Sequence, residues 1–164
     1  MIDKIKEVCN EDYESSEGLA KEKLMEIVEN GLDIESAEDA MQKLSHIDEK
    51  YALAKGIDFL KNDSFDPYFQ ACIFDFIYDL DKEAVLDCIS SRTSDIDFYL
   101  FKDIVGTMMT FTTYEDFIKM KNHAAYSNFL LMQYEKYDES EKNEMIDLLE
   151  EFKQEFHYAG SGIP

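Results

Sequence analysis

Hydrophobic side chains recur every three or four positions along most of the chain, which is the spacing of one face of an α-helix. The clearest case follows Asp66-Pro67, which has the residue types of a helix N-cap and first turn. One apolar stripe there contains Phe69, Cys72, Ile73, Phe76, Ile77 and Leu80, and a second contains Ala71, Phe74 and Tyr78. The polar strip that remains is narrow, mainly Gln70, Asp75 and Asp79. We therefore expect this helix to be covered on two sides.

The same spacing predicts helices along the rest of the chain. They cover about 2–8, from Ser16 to before Gly31, from Ser36, 48–61, 82–89, 95–109, from Thr113, 124–137, and from Asp138 or Ser140 onward. Ser16 and Ser36 are predicted N-caps, and Glu141 can complete a capping box with Asp138. Only two prolines and six glycines interrupt the sequence, which favours helix throughout.

About eight or nine helices joined by short loops predict an all-α fold of antiparallel helix pairs. Buried central helices between more one-sided terminal ones favour a HEAT-like α-solenoid, and a compact helical bundle is the alternative. Asp66-Pro67-Tyr68-Phe69 has a loose echo in Ile96-Asp97-Phe98-Tyr99, about 30 residues later. We expect one domain over residues 1–159 and a flexible tail over 160–164.

The net charge limits the partners that the chain can attract. Lys and Arg number 16 against 37 Asp and Glu, a net charge of -21. Phosphate repulsion disfavours direct binding to nucleic acid or to an anionic membrane, whereas a cationic protein would be attracted over distance. Because an acidic surface also keeps a protein dispersed, solubility is the alternative explanation of the charge.

The cysteine usage and the N-terminus indicate a cytoplasmic protein. Cys9, Cys72 and Cys88 are an odd number without the spacing of a disulfide framework, which favours a reducing compartment. The first residues lack the apolar segment of a signal peptide, and no apolar run approaches the length of about 20 residues that a membrane span requires.

Motifs with specific chemistry are missing from the sequence. It contains no glycine-rich phosphate loop and no Glu-x-x-His pair, and His46, His123 and His157 are far apart. Asp79-x-Asp81-x-Glu83 has Ala84 where a calcium loop needs glycine, so an N-cap at Asp81 is the better interpretation. We therefore expect no metal, no cofactor and no enzymatic activity. Asp75 and Asp79 could serve acid–base chemistry, but such pairs are common among 37 acids.

Tyrosines beside carboxylates near the middle of the chain are candidates for partner binding. This composition suits an interface with Lys and Arg, although the same residues could be ordinary exposed polar positions. The candidate residues are Asp66, Tyr68, Asp75, Tyr78, Asp79, Asp95, Asp97 and Tyr99.

In size, charge, helical content and lack of a catalytic motif, the whole chain resembles the small acidic helical immunity proteins of bacterial toxin systems, including contact-dependent growth inhibition. The resemblance rests on overall character and carries over no individual residue. It implies an inhibitor that neutralises a basic partner, a nuclease-type toxin, by covering its cationic surface. A helical-repeat scaffold with another partner and a carboxylate-based metal-dependent enzyme are the alternatives. The sequence does not indicate the oligomeric state.

Overall fold

A computed structural model describes residues 18–30, 34–62 and 65–158 of the chain. This part contains ten α-helices, one π-helical segment and no strand, so the all-α prediction is confirmed. The helices are α1 (18–30), α2 (Ile34–Ile47), α3 (Glu49–Lys61), α4 (Pro67–Tyr78), α5 (Lys82–Ser90), α6 (Phe98–Phe111), α7 (Tyr114–Phe117), α8 (His123–Tyr134), α9 (Glu139–Glu144) and α10 (Ile146–Phe152), followed by the π-helical Lys153–Tyr158. The predicted helix over 2–8, the Ser16 cap and the tail over 160–164 lie outside the described residues.

The chain divides into two compact units at the bond between Lys55 and Gly56, within α3. The single domain over 1–159 stays a prediction. In the first unit, the buried side chains come from all three helices: Met25, Val28, Ala37, Ala40, Met41, Leu44 and Ala52. The prediction of Ser36 as an N-cap is wrong, because α2 already includes Ile34. Ile34 precedes Ala37 and Met41 at the same three- to four-residue spacing of apolar positions.

In the second unit, α4 and α6 pack side by side and run parallel. The rings of Tyr68 and Tyr99 meet at their N-terminal ends, with centroids 5.4 Å apart. At their C-terminal ends, the Tyr78 hydroxyl lies 2.7 Å from the Thr112 hydroxyl. The two helices therefore match in register at an offset of about 30 residues, in agreement with the sequence echo. Within this unit α10 also packs on α6, and α5 packs on both α4 and α8.

Burial of α4 on two sides follows the two apolar stripes of its sequence. Phe74, Ile77 and Tyr78 have no exposed surface, and Phe101 of α6 has none either. Gln70, which the sequence assigned to the polar strip, is also buried. Its side-chain amide donates hydrogen bonds to the carbonyl oxygens of Phe59 (3.0 Å) and Asn62 (2.9 Å), which satisfies its polar group in the core.

Aspartate N-caps fix the starts of α4, α5, α6 and α9. Asp66 accepts hydrogen bonds from the backbone N–H groups of Tyr68 and Phe69, which confirms the predicted cap of α4. Asp81 caps α5 through the N–H of Ala84, so the N-cap interpretation of the Asp79–Glu83 segment is confirmed. The predicted capping box of Asp138 and Glu141 is present, but the last predicted helix is interrupted at Met145. In the part of the chain that the structure describes, every helix is too short or too polar to cross a membrane.

Candidate functional site

A surface along α4 and α6 combines two exposed tyrosines and three exposed aspartates with the partly buried Asp103. We call it the tyrosine–acid face, and it consists of Asp66, Tyr68, Asp75, Asp97, Tyr99 and Asp103. Tyr68 and Tyr99 are each the second residue of their helix, and an aspartate N-cap lies two residues before each of them. Because α4 and α6 are parallel, these equivalent positions lie side by side and the two rings are in contact. Tyr68 remains 47% exposed and Tyr99 remains 48% exposed.

The two cap residues hold the backbone at both tyrosines. Asp66 accepts a hydrogen bond from the N–H of Tyr68 at 2.9 Å, and Asp97 accepts one from the N–H of Tyr99 at 2.8 Å. Both aspartates are exposed. Each carboxylate can therefore cap its helix and still present negative charge beside a ring, since a carboxylate accepts several hydrogen bonds.

A pair of carboxyl groups lies further along the same helices, where Asp75 of α4 meets Asp103 of α6. The hydroxyl of Thr107 donates a hydrogen bond to Asp75. The pKa of Asp103 is raised to about 7. Burial of Asp103 is the largest cause, followed by the negative charge of Asp75 and by a hydrogen bond between the two carboxyl groups. One oxygen of Asp103, Oδ2, is buried and has no hydrogen-bond partner among the described residues.

The sequence did not identify Asp103, and it paired Asp75 with Asp79 instead. That pairing followed the four-residue spacing within one helix, whereas the actual partner of Asp75 comes from the neighbouring helix. A local signal was present: Asp103 lies four residues after Tyr99, on the same face of a helix.

The electrostatic environment of the tyrosine–acid face is negative. Burial, followed by the charges of Asp103, Cys72 and Asp75, raises the pKa of Tyr99, whereas Lys102 lowers it. Lys102 itself forms an ion pair with Glu144. Its positive charge is therefore largely matched within the chain and leaves the carboxylates of the face with excess negative charge.

The assignment of Tyr78 to a partner-binding surface is wrong. Its side chain is fully buried, its ring stacks on Phe74 with centroids 5.2 Å apart, and its hydroxyl is bonded to Thr112. Burial raises the pKa of Tyr78 to about 12. Tyr78 therefore contributes to the core, where it joins the C-terminal ends of α4 and α6.

Two other predicted site residues are exposed but stand apart from the tyrosine pair. Asp79 follows the last residue of α4, about 16 Å along the helix axis from Tyr68. Asp95 forms an ion pair with Lys136, which matches much of its charge. The structure thus brings together Asp66, Tyr68, Asp75, Asp97 and Tyr99 along α4 and α6.

A separate open groove of about 620 Å³ lies between α3 and α5. Its lining includes Ile57, Lys61, Asp87, Cys88 and Ser91. The Cys88 thiol lies 3.7 Å from the carbonyl oxygen of Ile57, and burial raises its pKa. Since the thiolate is the nucleophilic form, this cysteine is an unreactive core thiol, as its apolar neighbours in the sequence predict.

The described residues include His, Cys, Asp and Glu, whose side chains are the types that bind metal ions. Within 18–30, 34–62 and 65–158, no three His, Cys, Asp or Glu side chains form a group that could hold a metal ion. The tyrosine–acid face is therefore the best-defined candidate site. No protein-family model, curated protein or solved structure matches this chain.

Proposed function

We propose that this chain is an acidic protein-binding inhibitor of the immunity-protein type, which neutralises a basic partner, a nuclease-type toxin, in the bacterial cytoplasm. The observation that carries the proposal is the half-exposed Tyr68–Tyr99 ring pair among carboxylates on two parallel helices. Nucleases need cationic surfaces to hold a phosphate backbone. An inhibitor that covers such a surface needs the opposite charge and side chains that bury a large contact area with little conformational freedom.

The tyrosine–acid face supplies both. Aromatic residues near the centre of an interface commonly account for most of its binding energy, and tyrosine combines a large contact area with few rotatable bonds. Carboxylates around them attract Lys and Arg, accelerate association and disfavour anionic partners. The net charge of -21 adds long-range attraction to a basic protein.

Matched variants of the full chain can test whether this face binds the partner. The first variant combines Asp75→Asn with Asp97→Asn, and the second combines Tyr68→Ala with Tyr99→Ala. A control combines Asp147→Asn with Glu151→Gln on the exposed part of α10, and therefore replaces the same number of carboxyl groups as the first variant. Asparagine retains the capping ability of Asp97, so the first variant should keep α6 intact.

Each variant would be tested for binding to any basic protein encoded next to this chain, and affinity would be measured by surface plasmon resonance. Each variant of the face should weaken binding at least about tenfold, as expected when contact groups worth about 1.4 kcal/mol are lost. The control should bind within about threefold of the parent chain, because long-range charge contributes mainly to association rate. Equal losses in both charge variants, or no tight complex with a cationic protein, would contradict the proposal.

A helical-repeat scaffold is the second candidate, and the parallel stacking of α4 on α6 favours it. Stacked helix pairs present equivalent residues side by side and commonly form extended binding surfaces. The two functions differ in their effect on the partner. An immunity protein abolishes the nuclease activity of its toxin in a purified assay at a one-to-one ratio, whereas a scaffold binds its partner and leaves that activity unchanged.

A further inference from the structure

Several tyrosine rings of the chain are paired with its own lysines. An ammonium nitrogen lies between 5.7 and 5.9 Å from the ring centroid at Tyr51, Tyr78 and Tyr134, which is the distance of a cation–π contact. Among the described residues, no Lys or Arg lies in this way over the ring of Tyr99, although 48% of that residue is exposed. The exposed part of the Tyr99 ring can therefore accept a cation from another protein.

The contact between Tyr68 and Tyr99 makes an aromatic surface larger than a single ring. The two centroids are 5.4 Å apart, and the ring planes are tilted by 47°. About half of each residue is exposed, so both rings contribute to the surface that a partner meets. A flat cationic group can therefore stack on one ring while the apolar stem of its own side chain lies against the other.

The charge around this ring pair is complementary to a cation. Oδ1 of Asp66 accepts the backbone N–H of Tyr68, and Oδ1 of Asp97 accepts the backbone N–H of Tyr99, so both N-cap carboxylates lie at the same end of the two helices as the rings. Both aspartates are exposed. Because a carboxylate can accept several hydrogen bonds, each cap can also accept one from a cation that lies on the rings.

We propose that the Tyr68–Tyr99 ring pair is the binding site for an arginine side chain of the partner. The guanidinium group stacks on the rings and donates hydrogen bonds to the cap carboxylates of Asp66 and Asp97. This inference rests on the proposed function, because it names the chemical group through which the basic partner docks on the tyrosine–acid face.

Arginine fits this arrangement better than lysine. Its guanidinium group is planar and carries five donors in a fixed fork, so its face can stack on a ring while its N–H groups point sideways toward carboxylates. The ammonium of lysine is a compact and strongly hydrated point charge, which has no flat face to stack and loses more hydration against a ring. Tyrosine and arginine are also among the residue types that contribute most to binding energy at protein interfaces.

The first measurement tests where an arginine-rich probe binds. A peptide of six arginines would be added to the full chain at physiological salt, and the ring signals of the tyrosines would be followed by NMR. The signals of Tyr68 and Tyr99, assigned with Tyr68→Phe and Tyr99→Phe, should shift as binding saturates, because a stacked guanidinium group changes the environment of both rings. The ring of Tyr78 is fully buried, so its signal is the internal control and should not move. Peptide binding that leaves the signals of Tyr68 and Tyr99 unchanged would overturn the proposal.

The second measurement compares this peptide with one of six lysines, which has the same length and charge. Calorimetry on the full chain gives the ratio of the two affinities. The variant Tyr68→Ala with Tyr99→Ala should reduce this preference for arginine by about two- to fivefold, as expected for the loss of one exposed cation–π contact. Tyr68→Phe with Tyr99→Phe should preserve the preference, because both rings remain. The control Asp147→Asn with Glu151→Gln should weaken both peptides equally and leave the ratio unchanged.

The outcomes separate the arginine site from the function on which it rests. Equal affinities of the parent chain for the two peptides, or a ratio that Tyr68→Ala with Tyr99→Ala leaves unchanged, would overturn the arginine site alone. A basic partner whose binding still needs the two tyrosines would then dock through lysine or apolar groups. The absence of any tight complex with a cationic protein would instead contradict the inhibitor function, whatever the preference between the peptides.

Discussion

The hydroxyl groups of Tyr78 and Thr112 lie 2.7 Å apart in the core, where Tyr78 is fully buried and Thr112 is 4% exposed. Tyr78 is the last residue of α4, and Thr112 directly follows the last residue of α6. Their hydrogen bond therefore ties together the C-terminal ends of the two helices that present the tyrosine–acid face. It also explains why a tyrosine that is adjacent to Asp79 in sequence is unavailable to a partner.

Tyr78→Phe should lower the free energy of unfolding by about 1–2 kcal/mol, because it leaves the buried Thr112 hydroxyl without its partner. Urea denaturation followed by circular dichroism would measure the change. Tyr99→Phe is a suitable control: its residue is about half exposed, so removing the hydroxyl should change stability by less than about 0.5 kcal/mol. If Tyr78→Phe were as stable as the parent chain, the hydrogen bond would have no structural role.

The stability of the chain should depend on pH through Asp103. Its pKa is about 7 in the folded protein and ordinary in the unfolded chain, so the folded state binds more protons between about pH 4 and pH 7. The free energy of unfolding contributed by this group is greatest below pH 4 and is lost as the pH rises through 7. Asp103→Asn removes that dependence and should gain stability relative to the parent chain between pH 5 and pH 8.

Urea midpoints of both proteins at pH 5 and pH 8 would measure this difference. The comparison must be made between the two proteins, since repulsion among the other acids also changes with pH in the parent chain. Asp79→Asn, which neutralises an exposed aspartate at the end of α4, should follow the pH profile of the parent chain. Parallel profiles for Asp103→Asn and the parent chain would show that Asp103 titrates normally.

Local sequence signals predicted most of the described helices and several of their caps, because those features depend on neighbouring residues. Asp66-Pro67 and the Asp138–Glu141 box are examples in which the caps form as the spacing indicates. The candidate site was predicted less well. Tyr78 belongs to an apolar stripe, but its burial against Thr112 depends on a residue 34 positions away. Nearness in sequence to acidic residues was therefore a poor guide to exposure.

The carboxyl pair shows the same limit. Asp75 and Asp103 come together because α4 and α6 are parallel and aligned, and the weak echo between their first residues was the only sequence feature that indicated this alignment. An echo of four residues cannot fix which positions face each other seven residues further along a helix. The Tyr68–Tyr99 contact, by contrast, occurs within the echo itself, which explains why both tyrosines were identified.

The close contact of α3 with α4 at Gly56 gives a further prediction. A Cβ atom added at Gly56 would lie 2.5 Å from Cγ2 of Ile77 and 3.4 Å from Cγ2 of Ile73. Both isoleucines are buried, and their branched methyl groups cannot move away without disturbing the core. This overlap should cost about 1–3 kcal/mol. Because replacing a helical glycine by alanine gains at most about 1 kcal/mol, Gly56→Ala should lower the free energy of unfolding.

Gly106→Ala in α6 is the matched control, because a Cβ atom there would meet nothing within 4 Å. It should raise the free energy of unfolding by about 0.5–1 kcal/mol, since alanine has the higher helix propensity and no steric cost opposes it. Urea denaturation of both variants measures the two changes under the same conditions. Opposite signs would show that contact with Ile77 outweighs helix propensity at Gly56. An equal gain in both variants would mean that α3 does not approach α4 closely enough to require glycine.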